Sequence, residues 1–162
     1  MMAEKTDELT EGLYNAKRDN QGEEEAVIGS HVFGNLYKVD EAIIKDLEFI
    51  KNTVIEAAVL GKMHILEMIT YKFDNPKSND NGGVSVIALI EESHISVHTW
   101  PESKYVTVDV YSCGPEADSF VAFDFIVKKL NPKYYEEFFA DRGNARNAGE
   151  NSQIEVKRLK IH

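Results

Sequence analysis

Three strand-like segments follow one another closely in the middle of the chain. Residues 84–91 are rich in β-branched and aliphatic side chains, and residues 94–100 and 105–112 alternate polar with apolar side chains. Alternation with a period of two places one set of side chains on each face of a sheet. The pattern predicts adjacent strands with one buried face, so the fold must supply a layer that covers this face.

Further strand and helix patterns flank these segments. The predicted elements are strands over 31–37, 63–73 and 134–140, helices over 40–60 and from 118 or 119 to 130, and a loop over 75–83. Aspartate at 40 and 118 suits a helix N-cap, Gly61 a helix end, and Pro132 a stop. This order predicts an α+β fold, a two-layer sandwich whose mostly antiparallel sheet carries its helices on one face.

The length of 162 residues, 43% of them hydrophobic, suits one compact domain. We place this domain at residues 27–143. Residues 1–26 are polar and acidic and are predicted to form a disordered leader. Residues 144–162 are predicted to form a polar, loose tail, in which four apolar side chains (Ile154, Val156, Leu159 and Ile161) offer some packing.

Charge and composition exclude several classes of partner. The net charge is −10 and no basic stripe is present, which argues against nucleic acid. No apolar run approaches the roughly 18 residues of a membrane span, so we expect no membrane partner. Cys113 is the single cysteine of the sequence, so a disulfide within the chain is impossible. These features predict a soluble, cytoplasmic protein.

Reactive side chains are concentrated between Glu92 and Glu102, on a segment that otherwise reads as a half-buried strand. His94 and His98 share a face of that strand but lie about 13 Å apart at 3.3 Å per residue, which is too far to ligate one metal ion. A nucleophilic pair of Cys113 with His98 stays open, although no local cysteine-hydrolase signature supports it. A solvated polar strand face is the alternative without function.

The same stretch resembles a known family. Residues 82–102 read GGVSVIALIEESHISVHTWPE and residues 108–114 read VDVYSCG. They resemble the small prokaryotic S-adenosylmethionine decarboxylases, whose hallmark is a Glu-Ser-His-x-x-x-His-Thr-Trp-Pro-Glu run followed by Asp-x-x-x-Cys-Gly. The resemblance covers about residues 28–143 and extends to an archaeal branch that decarboxylates arginine. Residues 31–37 and 140–143 look like archaeal members in general.

The resemblance implies that the protein is a proenzyme. The Ser93 hydroxyl would attack the carbonyl of Glu92, an ester would replace the amide, and β-elimination would leave two chains, 1–92 and 93–162. Residue 93 would become a covalent pyruvoyl group that forms a Schiff base with the substrate amine. The resemblance makes His98 the proton acceptor in processing, Ser85 a support for the oxyanion, and Cys113 the proton donor in catalysis. No metal is expected.

The resemblance also implies a substrate pocket. Glu102 would hold the ribose hydroxyls of S-adenosylmethionine, and Trp100 or Phe73 would stack on the adenine. Asn35 stands where many members carry a glutamate, which weakens recognition of a sulfonium cation. S-adenosylmethionine, decarboxylated for spermidine and other polyamines, is the first hypothesis. Arginine, decarboxylated to agmatine, is the alternative.

A third hypothesis is a non-catalytic paralogue that binds or regulates an active partner. The family resemblance also predicts a homo-oligomer of cleaved protomers, a dimer or larger, that pairs through sheet edges or faces.

Overall fold

The computed structural model of the chain describes residues 29–74, 81–142 and 155–160. The strands are β1 Gly29–Tyr37, β2 Ile65–Asp74, β3 Asn81–Ile90, β4 Ser93–Trp100, β5 Tyr105–Ser112, β6 Tyr134–Arg142 and β7 Glu155–Lys160. The helices are α1 Glu41–Ile44, α2 Leu47–Leu60 and α3 Ser119–Leu130, with a 3₁₀ turn at Pro101–Ser103. The predicted leader 1–26, residues 75–80 of the predicted loop, and 144–154 and 161–162 of the predicted tail lie outside the described residues.

The strands form a single sheet in the order β2-β3-β4-β5-β1-β6-β7, and every neighbouring pair is antiparallel. The alternation in β4 works as predicted, because Ile95, Val97 and Thr99 are buried while the even-numbered residues are not. Both long helices cover this buried face: α2 packs on β2, β3 and β4, and α3 packs on β1 and β5. The predicted α+β sandwich with helices on one face is therefore confirmed.

The helix predicted over 40–60 is wrong in one respect, because it is two helices. The first ends at Ile44, and the Asp46 carboxylate then accepts the backbone N–H of Phe49. An aspartate that bonds the backbone locally competes with a continuing helix and caps a new one instead. The second predicted helix begins as expected, with Asp118 accepting the N–H of Val121.

The end of the chain contributes more structure than its polar composition suggests. Residues Glu155–Lys160 form β7, which pairs antiparallel with β6 from Tyr134↔Lys160 to Phe139↔Glu155. Strand β3 also begins at Asn81, inside the segment predicted as a loop. Within the described residues, no helix has both the length and the apolarity needed to span a bilayer.

The sheet face opposite the helices, which we call the open face, carries large apolar side chains that are exposed in the described part of the chain. Ile69, Tyr71 and Leu89 are 66%, 61% and 53% exposed. Other exposed side chains with the same strand parity are Phe73, Ile87, Trp100 and Tyr134. Ile69 and Ile87 are cross-strand partners, so the exposed apolar side chains of β2 and β3 lie side by side, and large exposed apolar patches are typical of interaction surfaces.

Candidate active site

The Glu92–Ser93 bond lies at the end of a tight hairpin. Strand β3 ends at Ile90, β4 begins at Ser93, and only Glu91 and Glu92 connect them. Two-residue hairpin loops normally use Asn or Gly, which tolerate positive φ. Here the positive φ, 149°, falls on Ser93 itself. A residue other than glycine held in this region stores backbone strain, and the strain lies next to the predicted cleavage bond.

The carbonyl oxygen of Glu92 accepts two hydrogen bonds from one residue. The backbone N–H of Cys113 donates to it at 2.8 Å, and the Cys113 thiol donates at 2.9 Å. Strand register explains the proximity, because Ser93 pairs with Ser112 and Cys113 follows directly after β5. Two donors on one carbonyl oxygen polarise the carbon and stabilise the negative charge that develops when a nucleophile adds.

The Glu92 side chain is tied to the start of β2. Its carboxylate accepts the backbone N–H of His64 at 3.0 Å and lies 2.7 Å from Nδ1 of the same residue. Burial raises the pKa of Glu92, but the His64 hydrogen bonds outweigh it, and the pKa is lower than its ordinary value. The hydrogen bond to Glu92, with its negative charge, raises the pKa of His64. These contacts fix the acyl side of the Glu92–Ser93 bond.

A possible metal site is formed by three side chains, those of His64, Glu91 and Glu92. The atoms that could ligate an ion lie within 4.8 Å of one another. The His64–Glu92 hydrogen bond already joins two of the three, and clusters of exposed acidic groups are common without an ion. The expectation that no metal is needed stays a prediction.

The Ser93 hydroxyl begins a chain of polar contacts that crosses three strands. Its Oγ lies 3.2 Å from Nδ1 of His94. The Nε2 of His94 lies 3.1 Å from Oδ1 of Asp109, and Nε2 of His31 lies 2.8 Å from the same oxygen. Burial raises the pKa of Asp109, but the hydrogen bonds and charges of His31 and His94 outweigh it, so the pKa is lowered and the carboxylate stays ionised.

A second group of predicted site residues gathers near the other end of β4. Ser85 Oγ lies 2.7 Å from Nδ1 of His98, and the two residues are cross-strand partners. The His98 and Trp100 rings are 6.4 Å apart on the open face. Glu102 follows in the 3₁₀ turn and is exposed, and Phe73 lies at the same end of β2, which is separated from β4 by β3.

The two groups do not meet within one protomer. His98 is five residues beyond Ser93 along one strand, which corresponds to roughly 16 Å at 3.3 Å per residue. Trp100 is seven residues beyond Ser93, or about 23 Å. The residues at the cleavage bond, Glu92, Ser93 and Cys113, are therefore separated from the predicted base and from the predicted substrate-binding residues.

Asn35 lies on the open face at the same end of the sheet as His98, because both residues pair with Thr107. Its side-chain oxygen accepts the Tyr105 hydroxyl at 2.6 Å, and its amide donates to Glu136 at 3.3 Å. The Tyr37 hydroxyl also donates to Glu136, at 2.8 Å. Burial, together with this hydrogen bond, raises the pKa of Tyr37 to about 12. A carboxylate from β6 thus supplies negative charge beside the position where the family pattern places a glutamate.

Sequence reasoning did not assign functions to several residues that the structure brings to these two groups. They are His31, His64, His94, Asp109 and Glu136. His94 and Asp109 are part of the motifs that were recognised, and strand parity places them on one face. His31, His64 and Glu136 approach the site only through pairing between distant segments, which leaves no signal in a single sequence.

Comparisons with known proteins point to one family. A family model described as S-adenosylmethionine decarboxylase matches residues 30–143. An arginine decarboxylase proenzyme from Hyperthermus butylicus is 50% identical over 118 residues, which cover 73% of this chain and 80% of the relative. The crystal structure of the adenosylmethionine decarboxylase from Aquifex aeolicus is 33% identical, with a TM-score of 0.65, and the match covers 79% of this chain and 98% of that one.

The matched fold and the matched family define this protein as a decarboxylase. The chain belongs to the S-adenosylmethionine decarboxylase family, as the resemblance of its two motifs predicted.

Proposed function

We propose that the chain cuts itself between Glu92 and Ser93 and then acts as a pyruvoyl-dependent decarboxylase. The observation that carries the proposal is the Glu92 carbonyl, which accepts both the N–H and the thiol of Cys113 beside a strained Ser93. The serine hydroxyl is adjacent to a carbonyl carbon that is already polarised. Attack there shifts the acyl group from nitrogen to oxygen, and cleavage follows.

Residue 93 fits the pyruvoyl group that the family implies. A pyruvoyl group supplies an electrophilic carbonyl that accepts electrons as carbon dioxide leaves an amino acid. The Cys113 thiol lies against the Glu92–Ser93 bond and is half-buried, so it is placed to return a proton to the substrate α-carbon. The same residue therefore serves both the cleavage and the turnover.

We propose further that a second copy of the chain completes the site. The separation of about 16 Å between Ser93 and His98 leaves the predicted base out of reach within a protomer. Both residues belong to strand β4, and the open face beside it carries exposed apolar side chains on β2 and β3, such as Ile69 and Leu89. An isologous dimer that stacks two open faces would cover the apolar side chains and bring Ser85 and His98 of one copy to Ser93 of the other. The same arrangement would bring the substrate-binding residues of the partner to the pyruvoyl group.

Arginine is the substrate that we place first. The relative that is 50% identical is an arginine decarboxylase proenzyme. Asn35 replaces the glutamate of many family members, and Glu136, which accepts a hydrogen bond from Asn35, offers a carboxylate that suits a planar guanidinium. Glu102 in the 3₁₀ turn offers a second carboxylate. Decarboxylation of arginine gives agmatine, a precursor of polyamines.

S-adenosylmethionine, which the motifs alone placed first, is the second candidate. The family model and the gathering of Phe73, Trp100 and Glu102 at one end of the sheet favour it. Aromatic rings suit the adenine, and a carboxylate suits a ribose diol. Its product would donate an aminopropyl group for spermidine.

Mass spectrometry of the purified protein tests the self-cleavage. We expect one chain that ends at Glu92 and one whose first residue is blocked, whereas Ser93→Ala stays whole. A wild-type chain that stays intact and inactive would favour the non-catalytic paralogue, and an intact chain that is active would refute the pyruvoyl mechanism.

Carboxyl-labelled substrates then distinguish the two decarboxylase reactions. Each compound is incubated separately with cleaved protein, and the released carbon dioxide is counted, with Ser93→Ala as the blank. We expect release from arginine. Release from S-adenosylmethionine alone would reverse the order of the two candidates and leave the cleavage mechanism intact.

A further inference from the structure

We propose that His94 accepts the Ser93 hydroxyl proton in the first step of self-cleavage, and that Asp109 and His31 position it for this task. The inference rests on the proposed self-cleavage and names a residue for its first proton transfer. The three side chains come from β4, β5 and β1 and meet on the open face. No function follows for them from the family resemblance as stated above.

The tautomer of His94 follows from its partners. An ionised carboxylate only accepts hydrogen bonds, so the 3.1 Å contact with Asp109 requires a proton on Nε2 of His94. A neutral imidazole then carries its lone pair on Nδ1. This is the nitrogen that lies 3.2 Å from Ser93 Oγ, so the acceptor atom faces the hydroxyl. The order Ser, His, Asp is the arrangement that activates serine nucleophiles on unrelated folds.

The contact from His31 holds the carboxylate in place. His31 donates Nε2–H to Asp109 Oδ1 at 2.8 Å, and its side chain is only 17% exposed. Its ring also lies against Phe33 and Tyr111, at centroid distances of 4.8 and 5.4 Å. The carboxylate therefore has one fixed position from which it orients the His94 ring.

The step balances without a co-reactant. The Ser93 O–H bond breaks, its proton moves to His94 Nδ1, and Oγ forms a bond to the Glu92 carbonyl carbon. The carbonyl π electrons move to oxygen, where Cys113 donates its N–H and its thiol. The C–N bond then breaks, and His94 returns the proton to the freed nitrogen. No net proton and no electron are transferred to the solvent.

This assignment leaves a separate task for His98. Cleavage also needs a base that removes the α-proton of residue 93 during elimination. Within the protomer His94 is within hydrogen-bond reach of the hydroxyl, while His98 is roughly 16 Å away and would reach residue 93 only from the partner in the proposed dimer. The proton of the hydroxyl and the proton of the α-carbon therefore have different acceptors.

The test measures the rate of self-cleavage in freshly made protein. We expect His94→Ala to slow cleavage roughly a hundred-fold or more, the usual effect of removing a general base. Added imidazole should restore part of that rate, because it can occupy the space of the missing ring. Hydroxylamine, which cuts esters, should leave the uncut His94→Ala chain whole, because ester formation is the slowed step and no ester accumulates.

Two further variants keep the test decisive if His94→Ala folds poorly. Asp109→Asn should slow cleavage through the wrong tautomer of His94, without a change in the thermal midpoint that accounts for it. Tyr111→Phe is the matched control, since it keeps the aromatic ring beside His94 and should cleave at the wild-type rate.

If wild-type protein cleaves, any one of three results would overturn the inference. The first is cleavage of His94→Ala at the wild-type rate, and the second is an ester in that variant that hydroxylamine detects. The third is an unchanged cleavage rate in a folded Asp109→Asn. A wild-type chain that never cleaves would instead refute the proposed function itself.

Discussion

One thiol lies at the centre of the proposed chemistry. Cys113 donates from its backbone and from its side chain to the carbonyl of Glu92, and it does so because β5 ends one residue earlier, opposite Ser93. The backbone donor survives any substitution except proline, while the thiol does not. The two donors can therefore be separated by mutation.

Cys113→Ala should cleave slowly and turn over substrate hardly at all. Loss of one donor to a developing oxyanion costs roughly a hundred-fold in rate, while the remaining N–H keeps some cleavage. Cys113→Ser should cleave faster than Cys113→Ala, because the hydroxyl still donates, yet it should stay nearly inactive as a decarboxylase, since an alcohol is a far weaker acid than a thiol. Gel assays of cleavage and carbon dioxide release check both. Wild-type turnover in Cys113→Ala would remove the thiol from the mechanism.

The His64–Glu92 pair should stabilise the uncut chain most at mildly acid pH. The raised pKa of His64 contributes stability that is complete below its ordinary value of 6.5 and is lost as pH rises through the folded value. The lowered pKa of Glu92 contributes stability that is present above its ordinary value of 4.5 and is lost as pH falls through the folded value. The window between these values is where both contributions are present.

Thermal unfolding of Ser93→Ala, with and without His64→Ala, measures this window. The Ser93→Ala background keeps the chain whole. We expect the difference in midpoint to be largest between about pH 4.5 and 6.5 and to shrink toward pH 9. Because His64 is exposed, the difference should be small and should decrease with added salt. A difference that does not vary with pH would contradict the pairing.

At the scale of elements, the break between α1 and α2 depends on one side chain. Asp46→Ala removes the bond to the N–H of Phe49 and should lower the free energy of unfolding by about 1 kcal/mol. Asp46→Asn is the matched control, because asparagine caps helices equally well, and it should be close to wild type. Denaturant unfolding measures both. Equal stability of the alanine and asparagine variants would show that the cap contributes nothing.

Local patterns predicted the elements well where the signal was local. The alternation in 94–100 fixed which side chains of β4 are buried, and Asp118 marked the start of α3. The break at Asp46 was missed because the apolar residues at 43, 47, 50 and 54 keep helical spacing across it. Strand β7 was missed because a polar segment becomes a strand only through its pairing with β6.

The candidate site, too, could be predicted only where its residues belong to a local motif. The motifs named Ser93, His98 and Cys113, and the strand rise alone shows that the first two are far apart within one protomer. The contact of His31 with Asp109 joins residues 78 apart in the sequence, and that of His64 with Glu92 joins residues 28 apart. Such contacts depend on sheet order, which a single sequence does not state.

At the scale of the whole molecule, the separated groups predict complementation between inactive chains. Ser93→Ala lacks the nucleophile and His98→Ala lacks the base, so neither should cut itself alone. Co-expressed, they should form mixed dimers in which Ser93 of one chain meets His98 of the other. Random pairing of isologous dimers places about half of the His98→Ala chains in such a dimer, so about half of them should be cut. Mass spectrometry identifies the cut chain by its mutation.

The control pairs His98→Ala with the double variant Ser93→Ala/His98→Ala and should show no cleavage. If mixed dimers form, as tagged co-purification can show, and yet no chain is cut, His98 does not act across the open faces.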